Sequence, residues 1–104
     1  MTTTTNPLIG KYVIVRCRDA GVHAGILIQA KGRVCTLEAA RRLWFWKVPK
    51  GAGDFLNGIA NSGLAEGSKV SAAVATIMLT ENCEILECTT EAEESIRSFP
   101  IYNA

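Results

Sequence analysis

Apolar and polar residues alternate along most of the chain, and the alternation lays out strands. Residues 11–18 (KYVIVRCR) are rich in the β-branched and aromatic side chains that fit a pleated, half-buried surface. A period of two sets Val13, Val15 and Cys17 on one face and Tyr12, Ile14, Arg16 and Arg18 on the other. The first face reads as core; the second begins apolar and ends cationic. Asp19-Ala20-Gly21 is a turn signal. Residues 22–30 return with Val22, Ala24, Ile26 and Ile28 on one face and His23, Gly25, Leu27 and Gln29 on the other. Gly25 marks a bulge or a close backbone approach. Lys31-Gly32 makes the next tight turn and residues 33–37 a third strand, giving a meander of the kind that starts small barrels.

Residues 38–42 read as a turn or bulge that leads into a fourth strand, 43–48. Its Trp-Phe-Trp triplet favours extended structure over helix. On that strand Arg42, Trp44 and Trp46 share one face, and Arg41, Leu43, Phe45 and Lys47 share the other. After the loop Pro49-Lys50-Gly51-Ala52-Gly53, Asp54 is placed to cap a short helix carrying Phe55, Leu56, Ile59 and Ala60. Gly58 weakens that helix by about 1 kcal/mol relative to Ala. Residues 70–79 and 84–88 read as further strands. Thr90 with Glu93 matches a capping box for a last helix, with Ala92, Ile96 and Phe99 on one face and Pro100 ending it. The expected fold is mainly β (α+β): a small barrel or strongly curved antiparallel sheet of five to six strands with two short helices. Residues 1–10 read as a flexible arm, and 11–104 as one small β-rich domain.

Composition changes this picture little. The chain has 104 residues, 48% apolar and 20% charged, which suits one globular domain and excludes a disordered one. A formal charge of +1 argues against a generic nucleic-acid coat. Distribution matters more. Residues 11–50 hold nine Lys and Arg against Asp19 and Glu38, whereas residues 81–94 hold six Glu and no base. Cys17, Cys35, Cys83 and Cys88 form no CxxC pair and no zinc spacing, and read as reduced, buried cysteines of a cytoplasmic protein. No apolar run nears the roughly 20 residues of a membrane span, so no membrane partner is expected.

The candidate chemistry lies in Arg41-Arg42-Leu43-Trp44-Phe45-Trp46-Lys47. Indoles stack on planar rings and arginines grip anions in pairs of hydrogen bonds. The same residues also serve as core anchors or as interface hot spots. Arg16 and Arg18 extend the charge onto the first strand. His23, the sole histidine, has no nucleophile motif beside it and reads as a structural or ligand-contacting group rather than a general base. A lone histidine also leaves no patterned metal site, and the Gly51-Ala52-Gly53 stretch is neither a Walker A loop nor a Rossmann fingerprint. No catalytic residue and no cofactor are expected. The candidate ligand-binding set is Arg16, Arg18, His23, Arg41, Arg42, Trp44, Trp46 and Lys47.

Arg16, the Ala20-Gly21-Val22-His23-x-Gly25 turn, Ala40-Arg41-Arg42-x-Trp44-x-Trp46-Lys47, Ser68-Lys69 and Glu84-Ile85-x-x-Cys88-Thr89 followed by a short helix together resemble an uncharacterised family of small bacteriophage and prophage proteins. The similarity spans about residues 11–99. It implies a viral origin and action in the cytoplasm of an infected bacterium, and it supplies no functional residues. Lys47-Val48-Pro49-Lys50-Gly51 departs from the family, whose members run more directly from the Trp strand into a Gly-Ala step. Three readings follow. The first is a non-catalytic protein that sequesters a small anionic, nucleotide-like ligand used as a host-defence signal, as a homo-oligomer. The second is a protein-interaction module that inhibits a host protein or serves in the virion. The third is a single-strand nucleic-acid binder, which the near-neutral charge disfavours.

Overall fold

The computed structural model describes residues 6–53 and 55–103. The elements run β1 (Tyr12–Cys17), β2 (Val22–Lys31), β3 (Val34–Phe45), α1 (Leu56–Ser62), β4 (Lys69–Val70), β5 (Val74–Leu79), β6 (Asn82–Glu87) and α2 (Thr90–Ser98). All six strands join one antiparallel sheet in the order β4-β3-β2-β1-β6. β5 shares the outer edge of β3 with β4: β5 takes its first half, from Cys35 to Ala40, and β4 its end, at Leu43 and Phe45.

Chain length forces this sheet to curl. From β5 through β3, β2 and β1 to β6 are four strand spacings, roughly 19 Å if flat. The three-residue step from Leu79 to Asn82 spans at most about 11 Å. The two margins must therefore approach, and Asn82 donates from its main-chain N–H to the Arg33 carbonyl at 3.0 Å, with its side-chain amide on the same oxygen. No ladder joins β5 to β6, so the sheet is strongly curved without closing into a barrel.

Both faces of β1 are consequently buried. Val13, Val15 and Cys17 meet Leu27, Cys35, Leu37, Ala40 and Leu79 inside the curl, with Leu8 packed against them. Tyr12 and Ile14, on the face expected to be partly open, meet Val22, Ala24, Leu43 and Val70 and are covered by Ile59 and Ala60 of α1 and Ile96 of α2. Each such side chain contributes roughly 1.5–3 kcal/mol by leaving water, which explains why two small layers hold a sheet this short.

The bulge anticipated at Gly25 is where the sheet turns. Ala24 pairs with Arg41 and Ile26 with Glu38, so Ala39 and Ala40 together oppose Gly25. A Cβ on Gly25 would lie 2.8 Å from the Glu38 carbonyl oxygen. Ala39 has φ 50°, a left-handed conformation costing an alanine about 1 kcal/mol or more. The same bulge corrects two expectations. The third and fourth strands are one strand, Val34–Phe45, bent at Ala39 instead of interrupted by a turn, and it ends before Trp46. A second irregularity between Leu27 and Gln29 resets the alternation of β2 and leaves Ile28 exposed, whereas Leu27, still in register with Leu37, is buried inside the curl.

Other boundaries shift for local reasons. The single strand expected over residues 70–79 is two, β4 and β5, because Ser71 leaves the ladder to bond Arg42. The last helix is capped one residue earlier than the capping-box pattern places it: the Thr89 hydroxyl accepts from the Ala92 N–H at 3.1 Å, and Glu93 pairs with Arg97 instead. Asp54, expected as the cap of α1, lies outside the described residues, and α1 has no side-chain cap bond at Phe55. Residues 1–5 of the expected arm also lie outside them; residues 6–10 form turns tied to β2, Gly10 donating to the Leu27 carbonyl at 2.7 Å.

Candidate functional site

The adjacent arginines part company at the bulge. Arg41 turns to the helix-covered face and is only 5% exposed. Its Nε donates to the Ser71 carbonyl at 2.8 Å, and one terminal nitrogen donates to the carbonyls of Ile96 (2.7 Å) and Phe99 (2.6 Å). The last two lie at the C-terminal end of α2, Ile96 also accepting from the Phe99 N–H at 3.3 Å, and a cation there meets the helix dipole favourably. Burial lowers the pKa of this guanidinium, partly opposed by Tyr12. Arg41 is a clasp between β3, the β4–β5 connection and α2.

Arg42 faces the other way, towards the inside of the curl, and is exposed. It lies across the ladder from His23, which in turn lies beside Val15 of β1. Ser71 holds its backbone: the hydroxyl accepts from the Arg42 N–H at 2.8 Å, and the Ser71 N–H donates to the Arg42 carbonyl at 2.9 Å. Arg42 lines two cavities. One, of about 320 Å³, is lined by His23, Ala40, Arg42, Ser71, Val74 and Ile77 among others. The second, of about 160 Å³, is lined by Arg42, Trp44, Lys69, Val70, Ser71 and Tyr102. Arg42 and Ser71 belong to both, so the two form one groove with a cation at its middle.

The smaller cavity is aromatic and cationic. Trp44 is 67% exposed and stands 5.5 Å from the Tyr102 ring at 54°. The Lys69 ammonium sits 5.1 Å from the Trp44 and Tyr102 centroids and 5.8 Å from that of Phe45, within the range of cation–π attraction. Tyr102 is delivered by the chain's C-terminal segment, its N–H bonded to the Val70 carbonyl at 2.9 Å. In the larger cavity His23 is almost fully buried and its Nε2 is 2.9 Å from the Ala20 carbonyl. Burial depresses its pKa, the Ala20 bond opposes this, and Arg42 lowers it further. The ring is therefore neutral near pH 7 and is held by a backbone acceptor.

Of the eight residues that the sequence singles out, the structure brings together His23, Arg42 and Trp44. Arg16 projects from the helix-side face of β1 and pairs with Glu84 of β6, two strands away from β3. Arg18 is exposed at the turn after β1. Trp46 lies beyond the end of β3, half-buried against the core, so it does not share a groove face with Trp44. Lys47 uses its main chain to bond Ser68, its N–H donating to the hydroxyl at 2.9 Å. Lys69, Ser71 and Tyr102 escape sequence reasoning. Each is a single residue in a short or irregular segment, where no period exists to place it.

Among the described residues no three His, Cys, Asp or Glu side chains gather as a metal site requires. No helix among them is long and apolar enough to cross a membrane. A family described as a domain of unknown function, DUF6948, matches residues 10–96. This chain belongs to that family. The match runs from the start of β1 into α2, so the DUF6948 region includes the whole sheet with His23, Arg42, Trp44 and Lys69, while Tyr102 lies outside it. No curated protein and no solved structure matches the chain.

Proposed function

We propose that this DUF6948 protein is a non-catalytic binder that sequesters a small anionic, ring-bearing ligand of the nucleotide class, as a homo-oligomer. One observation carries the reading: Arg42 stands at the partition between two adjoining cavities, with the open face of Trp44 on one side and buried His23 on the other. A phosphate on Arg42 would lie beside a planar group stacked on Trp44, with Lys69 adding positive charge. Among the described residues neither lining supplies a carboxylate to act as general base, and the Ser71 hydroxyl is engaged with Arg42 and Ala72, which favours capture over turnover. The resemblance to bacteriophage proteins supports a setting in the cytoplasm of an infected bacterium, where the ligand would be a host-defence signal.

The test is calorimetric titration with a panel of mononucleotides and cyclic nucleotides, alongside native mass spectrometry of the protein purified from bacteria. The reading expects a stoichiometric ligand whose affinity falls about a hundredfold in Arg42→Ala and about tenfold in Trp44→Ala. A panel that yields no binding, or binding indifferent to both substitutions, overturns it. A second reading rests on the exposed ring cluster of Trp44, Phe45 and Tyr102 around Lys69: these are the residue types of protein-interface hot spots, and a host protein retained by wild type and lost in Trp44→Ala would favour it.

A further inference from the structure

The sheet's free margins are not equally defended. β4 is two residues long, and its Val70 carbonyl already accepts from Tyr102. β6 carries exposed Glu84 and Glu87, and its register against β1 slips at Cys83. Charges and bulges of this kind keep an edge from pairing with other chains. β5 has neither. Val74-Ala75-Thr76-Ile77-Met78-Leu79 contains no charge, proline or glycine, and its register with β3 is unbroken. On its other side β5 pairs with no strand, and among the described residues no turn or loop bond reaches it. Alternate residues of an antiparallel strand turn both N–H and C=O to the same side, so half of β5's peptide groups point away from β3. Around this edge Val74 is 50% and Met78 62% exposed, and Met78 borders a depression of about 270 Å³ with Val34, Thr36 and Gln29.

We infer that β5 is the pairing edge for a second copy of this chain, the two strands running antiparallel across a twofold axis. A copy suits the edge because an uncharged strand meets itself without opposing like charges, whereas β6 against β6 would set glutamates against glutamates. A β5–β6 contact would be heterologous, would not close, and would run into the bulge at Cys83. An axis at Thr76 sets Thr76 opposite its own counterpart and Val74 opposite the partner's Met78. It covers the exposed methionine and valine of both copies and fills both sets of peptide groups. Val74 and Ile77 also line the cavity beside His23, so each partner strand stands at the rim of the other's groove. The inference does not depend on what the groove holds.

Sedimentation velocity of the full chain without nucleotide tests it. Wild type is expected to be dimeric, and Thr76→Lys, which puts a charge at the centre of the edge opposite Glu38 of β3, to weaken the dimer at least about tenfold while still melting cooperatively. Amide exchange should show alternate β5 amides protected in wild type and released in the variant. If Thr76→Lys does not fold, Met78→Lys, at a surface position, replaces it with the same expectation. A wild-type protein that stays monomeric up to its solubility limit overturns the inference, as does a dimer indifferent to the folded variant. So does a different protein found paired with β5.

Discussion

Replacing Arg41 and Arg42 one at a time separates the roles that the structure gives to neighbours in sequence. Arg41→Met keeps an unbranched apolar stem and removes the guanidinium. The carbonyls of Ser71 and Phe99 then lose their donor, while that of Ile96 keeps the Phe99 N–H. A hydrogen bond to a charged group contributes roughly 1.5–3 kcal/mol, but three cannot be summed, because burying the guanidinium is itself costly. That cost is visible in the lowered pKa. If each abandoned carbonyl costs about 1 kcal/mol, the loss is about 2 kcal/mol, a large share of a small domain's stability. At this size that corresponds to a melting point lower by roughly 8–16 °C. Arg41→Lys keeps a charge without the planar fork and should fall between.

Arg42→Ala should do the opposite. The main-chain N–H of Arg42, not its guanidinium, holds Ser71, so stability should stay within about 0.5 kcal/mol of wild type while ligand binding is lost. Urea unfolding followed by tryptophan fluorescence reads both variants, since Trp46 packs against the core and reports its loss. An Arg41→Met protein within about 1 kcal/mol of wild type would refute the clasp. So would an Arg42→Ala protein destabilised as much as Arg41→Met.

Further substitutions and the two limbs of a pH profile probe the frame around the site. Gly25→Ala should cost about 1–3 kcal/mol in urea unfolding, because its Cβ would press on the Glu38 carbonyl and the Ala40 backbone; Ala39→Gly, at φ 50°, should stabilise by roughly 0.5–1 kcal/mol. Gly58→Ala should destabilise despite its better helix propensity, by about 1–3 kcal/mol, because the new methyl would meet Val48 and the carbonyls of Ala52 and Gly53. His23, with its folded pKa depressed mainly by burial, contributes stability that is present above its unfolded pKa near 6.5 and lost as pH falls through the folded value; His23→Gln should flatten the acid limb of a urea-midpoint profile between about pH 7 and 5. Burial pushes the Cys88 thiol up to about 12, so the unfolded chain ionises first and stability should fall as pH rises beyond about 9, a slope that Cys88→Val should reduce.

The strands were legible in the sequence wherever period two runs unbroken, and obscure wherever a bulge resets it. β1 and the first half of β2 alternate without interruption, and their inward residues lie where the pattern puts them. A strand buried on both faces, however, keeps its alternation only as a choice of cluster, so Tyr12 and Ile14 are as deeply covered as Val13 and Val15. Covering the second face takes α1 and α2, whose packing partners are too distant in sequence for local patterning to find. Tyr102 is the extreme case: it lies 58 positions after Trp44, and a main-chain bond to Val70 brings the two rings together.

The site follows from the same bulge. In an unbroken strand Arg41 would share a face with Leu37, and Arg42 with Glu38 and Thr36. Inserting Ala39 against Gly25 shifts parity by one, so Arg41 falls in line with Ala24 and Leu43 on the helix-covered face, and Arg42 in line with His23. Pairing with β2 beyond the bulge thus sends one arginine to clamp the end of α2 and the other into the groove. One experiment separates the extra residue from the pairing: deleting Ala39 with Gly25→Ala should straighten the ladder, and because Glu38, Ala40, Arg41 and Arg42 then oppose Ile26, position 25, Ala24 and His23, each arginine should keep its face. Arg41 would still reach the end of α2 and Arg42 would still lie across from His23, so the double variant should fold and Arg41→Met should destabilise it as it does wild type. A folded double variant in which Arg41→Met costs nothing and Arg42→Met destabilises instead would show that pairing with β2 does not assign the arginines to their faces.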